Sequence, residues 1–436
     1  MEVHMKIVIF GVGAVSSVVV RVLYDLSKKS LKEDLKFVYV VRDISKAKQH
    51  FFKNPELLEY GDFVECTNFE KIFLNPHEYA VDFQNSDLFL NASTPNYNLA
   101  IMKLASYFKS NYADLASDIY NSTIFETLQF KQQSLQEEFI QNNSFALINL
   151  GISPGITNFL IGERIYNFSN LPYNTKVKKI EINLLEEMQS KQLIFSWSPH
   201  VAIEEISYKP HFFKKNKLKS IEPFSKSKTY KFPYFKNFVE LYPVFQEEII
   251  SLKQSFKEVE DIKMFVGGNE IELMKNLYQL NLLSNKYCYG YKDSKISINT
   301  IIKDVIPKMK SPQAIEEYTL NKTIKHSEFS AIADIYLEIS YPQNEKKIKS
   351  IESIGISFNR YTELVKTPYS GATYISYPTG IGAGILIFYT LLAKENTTIS
   401  GVLLSEKLPE LLGATLNDII KRELTSYKIY LNNSIQ

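Results

Sequence analysis

Three observations predict an α/β fold with a parallel sheet for the first part of this chain. The apolar strand "KIVIF" runs into a glycine turn and then a helical pattern at the start. Further apolar runs alternate with helical stretches up to about residue 150, as βαβ units do. Beyond about Lys176 the pattern becomes period-2 strands with fewer regular crossovers, which predicts an α+β domain with a mixed sheet.

The elements follow in order. Lys6–Phe10 is a strand and Val12–Leu26 a helix that begins in the glycine turn. Phe37–Val41 is a second strand. Asp87–Ser93 is another, followed by a helix over about Tyr97–Phe108. Asn111–Ser117 and "FALINL" complete the set of short apolar strands. In the second part "VKKIEINLLE", "LIFSWSP", "SAIADIYLEIS" and "SIESIGISFN" read as strands, with helices over about Pro243–Phe256 and Ile271–Leu283. From about Thr379 the chain returns to helix. The Lys-rich "KPHFFKKNKLKS" reads as a solvated hairpin edge, since lysines blunt exposed strands.

The chain has 436 residues, too many for one ordinary core, so two domains or one domain with a large insertion are expected. Hydrophobic residues make up 45% and charged residues 22%, a globular balance. A net charge of +2 lacks the basic footprint of a nucleic-acid binder. Cys66 and Cys288 form no CxxC and no metal spacing, so no metal site is expected; two isolated cysteines fit a reducing, cytoplasmic compartment. "MEVHMKIVIF" lacks a signal-peptide layout. Ile375–Ala393 is uncharged and near the length of a membrane span. Pro378 and three glycines in its first half favour a buried helix of a soluble protein.

"FGVGAVSS" carries the first chemistry. Gly11 allows a tight turn. Gly13 lets backbone N–H groups approach a pyrophosphate at the helix start, which Ala14 and Val15 head. Ser16 replaces the usual third glycine and is small enough for close helix–strand packing. The alternative is a structural turn without ligand. "KFVYVVRD" ends in Arg42 and Asp43. An acidic residue there would hold the ribose hydroxyl of NAD, and an arginine the 2′-phosphate of NADP. Arg42 comes first, and Lys46 and Lys48 add positive charge nearby, so NADP is favoured over NAD. Ala92, Ser93 and Thr94 close a later strand on the carboxyl edge, where such sheets bind ligands, and "YADLAS" brings Asp114 and Asp118 to the same region.

Taken in order, "GVGAVSS", "YADLAS", "GISPGITN", "FSWSP", "ELMKNLYQLNLL" and "YPTGIGAGILIF…ISGVLLSEKLPE" resemble the saccharopine dehydrogenases of the glutamate-forming type and the related carboxynorspermidine dehydrogenases. The resemblance implies a doubly wound Rossmann domain (1–150) interrupted by an α+β substrate and dimerisation domain (151–371). C-terminal helices (372–436) would return to the first domain. It implies an NAD(P)-dependent oxidoreductase of amino-acid metabolism, in a polyamine or lysine pathway. Such an enzyme joins an amine to a carbonyl compound through an imine, or runs the reverse. It further implies a homodimer with a small-molecule substrate and no membrane or nucleic-acid partner. Ser153, Pro154 and Gly155 would form a turn near substrate and nicotinamide. Ser196, Trp197 and Ser198 would line the substrate pocket, with Lys263 the nearest cation. Asp114, Asp118 and His200 are the candidates for moving protons.

The chain departs from that pattern. Ser153 stands where relatives have Asp, and His200 where saccharopine reductases have Arg. "IKMFVGGNE" occupies the region of an arginine-containing stretch. Arginines hold carboxylates in a bidentate way, so their loss implies a substrate other than saccharopine, or one held differently. A catalytically silent relative that binds a dinucleotide for structure or sensing is the rival reading.

Overall fold

A computed structural model of the chain describes residues 5–30, 35–117, 127–169, 174–196, 203, 208–283, 288–291, 294–307, 309–340 and 347–435. Its first sheet has seven strands: β1 (Met5–Phe10), β2 (Leu35–Val41), β3 (Gly61–Glu65), β4 (Leu88–Asn91), β5 (Asn111–Asp114), β6 (Phe145–Ile148) and β17 (Gly401–Leu404). Their spatial order is β17-β6-β5-β4-β1-β2-β3, and every pairing is parallel. Ile7 and Ile9 of β1 are buried in one core, and Val8 and Phe10 in the other. A strand covered on both faces is a continuous apolar run, which is why "KIVIF" does not alternate. The order reverses between β1 and β4, so the ligand crevice lies outside the carboxyl ends of these two strands.

The second sheet is mixed. It follows the order β10 (Lys228–Tyr230), β11 (Val239–Val244), β12 (Asp261–Gly267), β7 (Asn174–Ser190), β15 (Ile324–Ser340), β16 (Lys347–Phe358), β18 (Tyr430–Ile435). β12 and β7 are parallel, and the remaining pairs on this path are antiparallel. The Lys-rich segment forms the hairpin β8 (His211–Lys214) and β9 (Lys217–Ser220). A separate small ribbon pairs β13 (Cys288–Tyr291) with β14 (Ser294–Ser297).

The principal helices are α1 (Ala14–Lys29), α2 (Asn98–Tyr107), α3 (Ile156–Ser169), α4 (Glu248–Ser255), α5 (Asn269–Gln279), α6 (Ser376–Lys394) and α7 (Leu408–Ser426). One apolar cluster runs from Ile7, Ile9 and Val18 through Ile156 and Phe159 to Ile180, Ile182 and Ala331. The two sheets therefore share a core, with α3 between them.

α6 is the segment of span-like composition, and 94% of its apolar window is buried inside the protein. A Cβ on Gly380 would lie 2.5 Å from Val18 Cβ, and one on Gly384 2.8 Å from Val22 Cγ1. A Cβ on Gly382 would lie 3.1 Å from Ile156 Cβ. The "GIGAG" run is thus a packing surface: it lets α6 sit against α1 on one side and the start of α3 on the other. Ile381, Ile385, Leu386, Ile387 and Phe388 are each fully buried there, worth about 1.5–3 kcal/mol apiece.

The C-terminal segment is more than returning helices. β17 adds a parallel strand beside β6, and β18 joins the second sheet beside β16. "GVLL" and "YLNNSI" are too short to announce strands, and their partners, about 255 and 75 positions away, complete them. β3, in "GDFVE", was hidden in the same way by polar residues at a sheet edge. "LIFSWSP" also departs from expectation. Its described part, Leu193–Ser196, is irregular, because the Ser196 carbonyl accepts from Thr373 Oγ1 at 2.8 Å and not from a neighbouring strand.

Gly380→Val puts a branched side chain where Val18 and the Val15 carbonyl already sit. It should cost about 1–3 kcal/mol in urea denaturation, and a variant as stable as the parent would refute the close-packing account.

Candidate functional site

Gly11 has φ +86, in the left-handed region, and its N–H donates to the Val40 carbonyl at 2.9 Å. A Cβ there would lie 2.8 Å from Ser93 Cβ. Gly11 therefore lets the first turn lie flat on the loop that follows β4. Gly13 caps α1, and a Cβ there would meet nothing within 4 Å. That open space lies at a helix start whose first N–H groups, at Ala14 and Val15, have no intrahelical acceptor. Ser16, fully buried, takes the Gly13 N–H on its Oγ at 2.7 Å. Open space, free N–H groups and a helix N-terminus fit the pyrophosphate of a dinucleotide. On the other side, Ala92 donates to the Phe10 carbonyl at 2.9 Å. Asn91 Oδ1 accepts from the N–H and Oγ of Ser93, and Asn91 Nδ2 donates to the Thr94 carbonyl at 3.1 Å. Asn91 thus shapes the 92–94 loop from below.

At the end of β2 the two cofactor candidates separate. The Asp43 carboxylate caps the short helix Ile44–Gln49, accepting from the Lys46 N–H at 3.0 Å. That bond, with the Lys46 charge, holds its pKa below the usual carboxylate range. Arg42 is exposed and has no ion-pair partner among the described residues. Lys46 is 3.6 Å from Asp43, and Lys48 lies over the Phe63 ring at 5.4 Å. Asp43 is engaged locally, and Arg42 is available.

The carboxyl ends of β5 and β6 meet at Asp114. Its Oδ1 accepts from the Asn149 N–H at 2.7 Å. Its Oδ2 accepts from Tyr112 Oη at 3.0 Å and Gln132 Nε2 at 2.5 Å. It is fully buried, and burial pushes its pKa up to about 7 against the pull of those donors. Its oxygens are taken up inside the protein, where they anchor the chain that leads into the next turn.

That turn needs its glycines for steric reasons. Gly155 has φ +134, and a Cβ on it would lie 1.9 Å from the Gly151 carbonyl oxygen. A Cβ on Gly151 would lie 2.8 Å from the Pro154 oxygen. The chain folds back on itself across Ser153 and Pro154, then α3 begins. Ser153 donates to Glu248 Oε1 at 2.7 Å.

Ser196 is fully buried and donates to Glu270 Oε1 at 2.9 Å, as does Tyr374 Oη at 2.9 Å. Ser196 is thus tied to α5 and to the 373–376 corner that starts α6. Glu186 stands on the same face of β7 as Ile180, Ile182 and Leu184, by strand alternation. It keeps a little accessible surface at an otherwise enclosed position. Burial, with Glu270 beside it, pushes its pKa up to about 8. Lys263 lies in register with Glu181, on the face opposite Ile262 and Met264, with its ammonium over the Phe212 ring at 5.6 Å. The strand's alternation turns it away from the side that carries Ile262 and Met264. Asp118, Trp197, Ser198 and His200 lie outside the described residues.

Glu186, Glu248, Glu270, Tyr374 and Glu406 were not singled out from sequence. For Glu186 a signal existed: "IEINLLEE" places a glutamate on the apolar parity of its strand. The others are brought together across 100–250 positions, where no spacing rule reaches.

No family model matches the chain, and no curated protein matches it. Among solved structures it resembles the apo saccharopine dehydrogenase (L-Glu forming) of Saccharomyces cerevisiae, at 14% identity, 99% of this chain, 100% of that one and a TM-score of 0.66. An oxidoreductase domain protein from Kribbella flavida aligns at 7% identity over 98% of this chain and 99% of that one, with a TM-score of 0.40. A myo-inositol dehydrogenase from Corynebacterium glutamicum aligns at 8% identity over 99% and 100%, with a TM-score of 0.38. The first likeness shows the fold: a Rossmann-type parallel sheet joined to a mixed-sheet domain.

Asp114 titrates higher folded than unfolded, so the stability it contributes is complete below about pH 4 and is lost as pH rises through about 7. Urea midpoints should fall from pH 5 to pH 8, and the fall should shrink in Asp114→Ala. An equal fall in both proteins would refute the assignment.

Proposed function

We propose that this protein is an NADP-dependent oxidoreductase acting on the C–N bond of an amino-acid-derived secondary amine, by reductive condensation through an imine or the reverse. The observation that carries the reading is the glycine turn at the sheet's switch point, with open space at Gly13 at the head of α1, where the first N–H groups have no intrahelical acceptor. The bound nicotinamide would supply or take the hydride. Ala14 and Val15 would hold the pyrophosphate through their N–H groups. Arg42, free while Asp43 caps its helix, would hold the 2′-phosphate, and this supports NADP over NAD. Glu186 is suited to move a proton, since a carboxyl with a raised pKa carries one near neutral pH.

The arginines argue against a substrate with two carboxylates. The chain has five. Arg21 pairs with Asp25 and Glu56, Arg164 with Glu352 and Arg360 with Glu363, and Arg422 Nε donates to the Asp418 carbonyl. Arg42 remains, at the cofactor edge. The reading keeps the reaction class and leaves saccharopine aside. It carries with it a cytoplasmic homodimer with a small-molecule substrate. A catalytically silent dinucleotide binder is the second reading, favoured by the engagement of Asp114 in anchoring.

Titration of the purified protein with NADPH and NADH, followed by nucleotide fluorescence, tests the proposal. NADPH should bind more tightly than NADH. Arg42→Ala should weaken NADPH at least tenfold and leave NADH nearly unchanged. Binding of neither nucleotide would overturn the oxidoreductase reading. Binding without turnover of any amine–carbonyl pair would move the weight to the silent relative.

A further inference from the structure

The turn 151–155 leans on a buried polar cluster built from three segments. α4 contributes Glu248, Ser251 and Ser255, at positions i, i+3 and i+7 on one helix face. The turn and α3 contribute Ser153 and Asn158. The third segment contributes Glu406, just before α7. Glu248 and Asn158 are completely buried, and Glu406 nearly so. Asn158 Nδ2 donates to Ser251 Oγ at 3.2 Å and to Glu406 Oε2 at 3.1 Å. Ser255 donates to Glu406 Oε1 at 3.0 Å, and Ser153 to Glu248 Oε1 at 2.7 Å. α3 comes so close to the Glu406 backbone that a Cβ on Gly162 would lie 2.0 Å from the Glu406 carbonyl oxygen.

Two buried atoms in this cluster lack a hydrogen-bond partner: Glu248 Oε2 and Asn158 Oδ1. Both are acceptors; Ser251 Oγ accepts from Asn158 Nδ2 and donates to the Glu248 main-chain carbonyl at 3.4 Å, which joins the two residues. A buried acceptor left unpaired costs about 1–3 kcal/mol, and two together need a donor between them. Among the described residues no lysine or arginine pairs with Glu248 or Glu406. The charged group facing Glu248 across the cluster is Glu406, another carboxylate.

We propose that Glu248 is a positioning residue that carries a proton on Oε2, given to Asn158 Oδ1 directly or through one buried water, while Oε1 holds Ser153 and with it the turn at the carboxyl edge of the sheet. One proton satisfies both orphan acceptors and removes the repulsion between two buried carboxylates. Losing it leaves a buried anion against Glu406, a penalty that opening of the turn relieves. The direction of the ionisation agrees: burial, with Glu406 beside it, pushes the Glu248 pKa up to about 7. The turn is therefore firmest at acid pH and loosens as pH rises through about 7, a proton-dependent hold on the segment at the carboxyl edge of the sheet. The inference needs no enzymatic activity and stands apart from the proposed function.

Hydrogen exchange of the 151–157 segment tests it, with intrinsic exchange corrected for. The Ile156 and Thr157 N–H groups bond to the Gly151 and Ile152 carbonyls at 3.3 and 3.1 Å and report the turn directly. In the parent, protection should fall up to about tenfold per pH unit between pH 5 and pH 7 and level off above. In Glu248→Gln, an uncharged isostere, that fall should be absent. Asp114 also titrates near this segment, so the difference between the two proteins is the quantity to read. The same pH-dependent loss in both would overturn the proposal. Ser153→Ala gives a second arm if Glu248→Gln does not fold. It cuts the link and keeps the carboxyl, so protection of the turn should be low already at pH 5 and fall no further up to pH 7. Retention of the parent's pH profile in Ser153→Ala would equally overturn it.

Discussion

The close seat of α6 against α1 and α3 is the constraint on which the rest of the molecule depends. Gly380 and Gly384 face Val18 and Val22, and Gly382 faces Ile156. The same helix therefore braces the element that heads the glycine turn and the element that follows the 151–155 turn. Its N-terminal corner, through Thr373 and Tyr374, reaches Ser196 and Glu270 in the second domain. A helix apolar all round and buried inside the protein holds the nucleotide turn, the second turn and the base of the candidate substrate loop in one frame. Side chains at the three glycines would push those parts away from one another.

Around that frame the protein uses buried carboxyl groups in place of buried ion pairs. Asp114, Glu186, Glu248, Glu270 and Glu406 all have raised pKa values, with burial the largest cause. Among the described residues none of them pairs with a lysine or arginine. A buried anion without a cation is costly, and the usual relief is to stay neutral. A neutral carboxyl both accepts and donates, so it can knit hydroxyls and amides from several segments together. Asp114 ties β5 to Gln132 and Asn149; Glu270 ties α5 to Ser196 and Tyr374; Glu248 ties α4 to the turn at Ser153. The cost is sensitivity to pH near neutrality, at the edge of the sheet where ligands bind.

The end of β2 works the other way, with charges in solvent. Asp43 is held by the backbone of the helix it caps, and Arg42, one residue earlier, is left exposed. A local hydrogen bond occupies the acidic side chain and leaves the basic one free.

Much of the fold was legible because its signals are local. A strand, two glycines and a helical pattern within twenty residues suffice for the first βαβ unit, and period-2 alternation announces β7, β15 and β16. The two glycines of the 151–155 turn, visible as a motif, have their reason in a backbone that doubles back on itself. The site was less legible. Asp114 could be seen at a strand end, but its role depends on Tyr112, Gln132 and Asn149, which only folding brings around it. Lys263 could be seen as a cation, but the face it occupies is set by the register of β12 beside β7. β17 and β18 are strands because of partners far along the chain. Periodicity and turn chemistry, which act between near neighbours, were determined by the sequence alone. Burial, protonation and the company each carboxyl keeps depend on long-range contacts, and only the tertiary structure decided them.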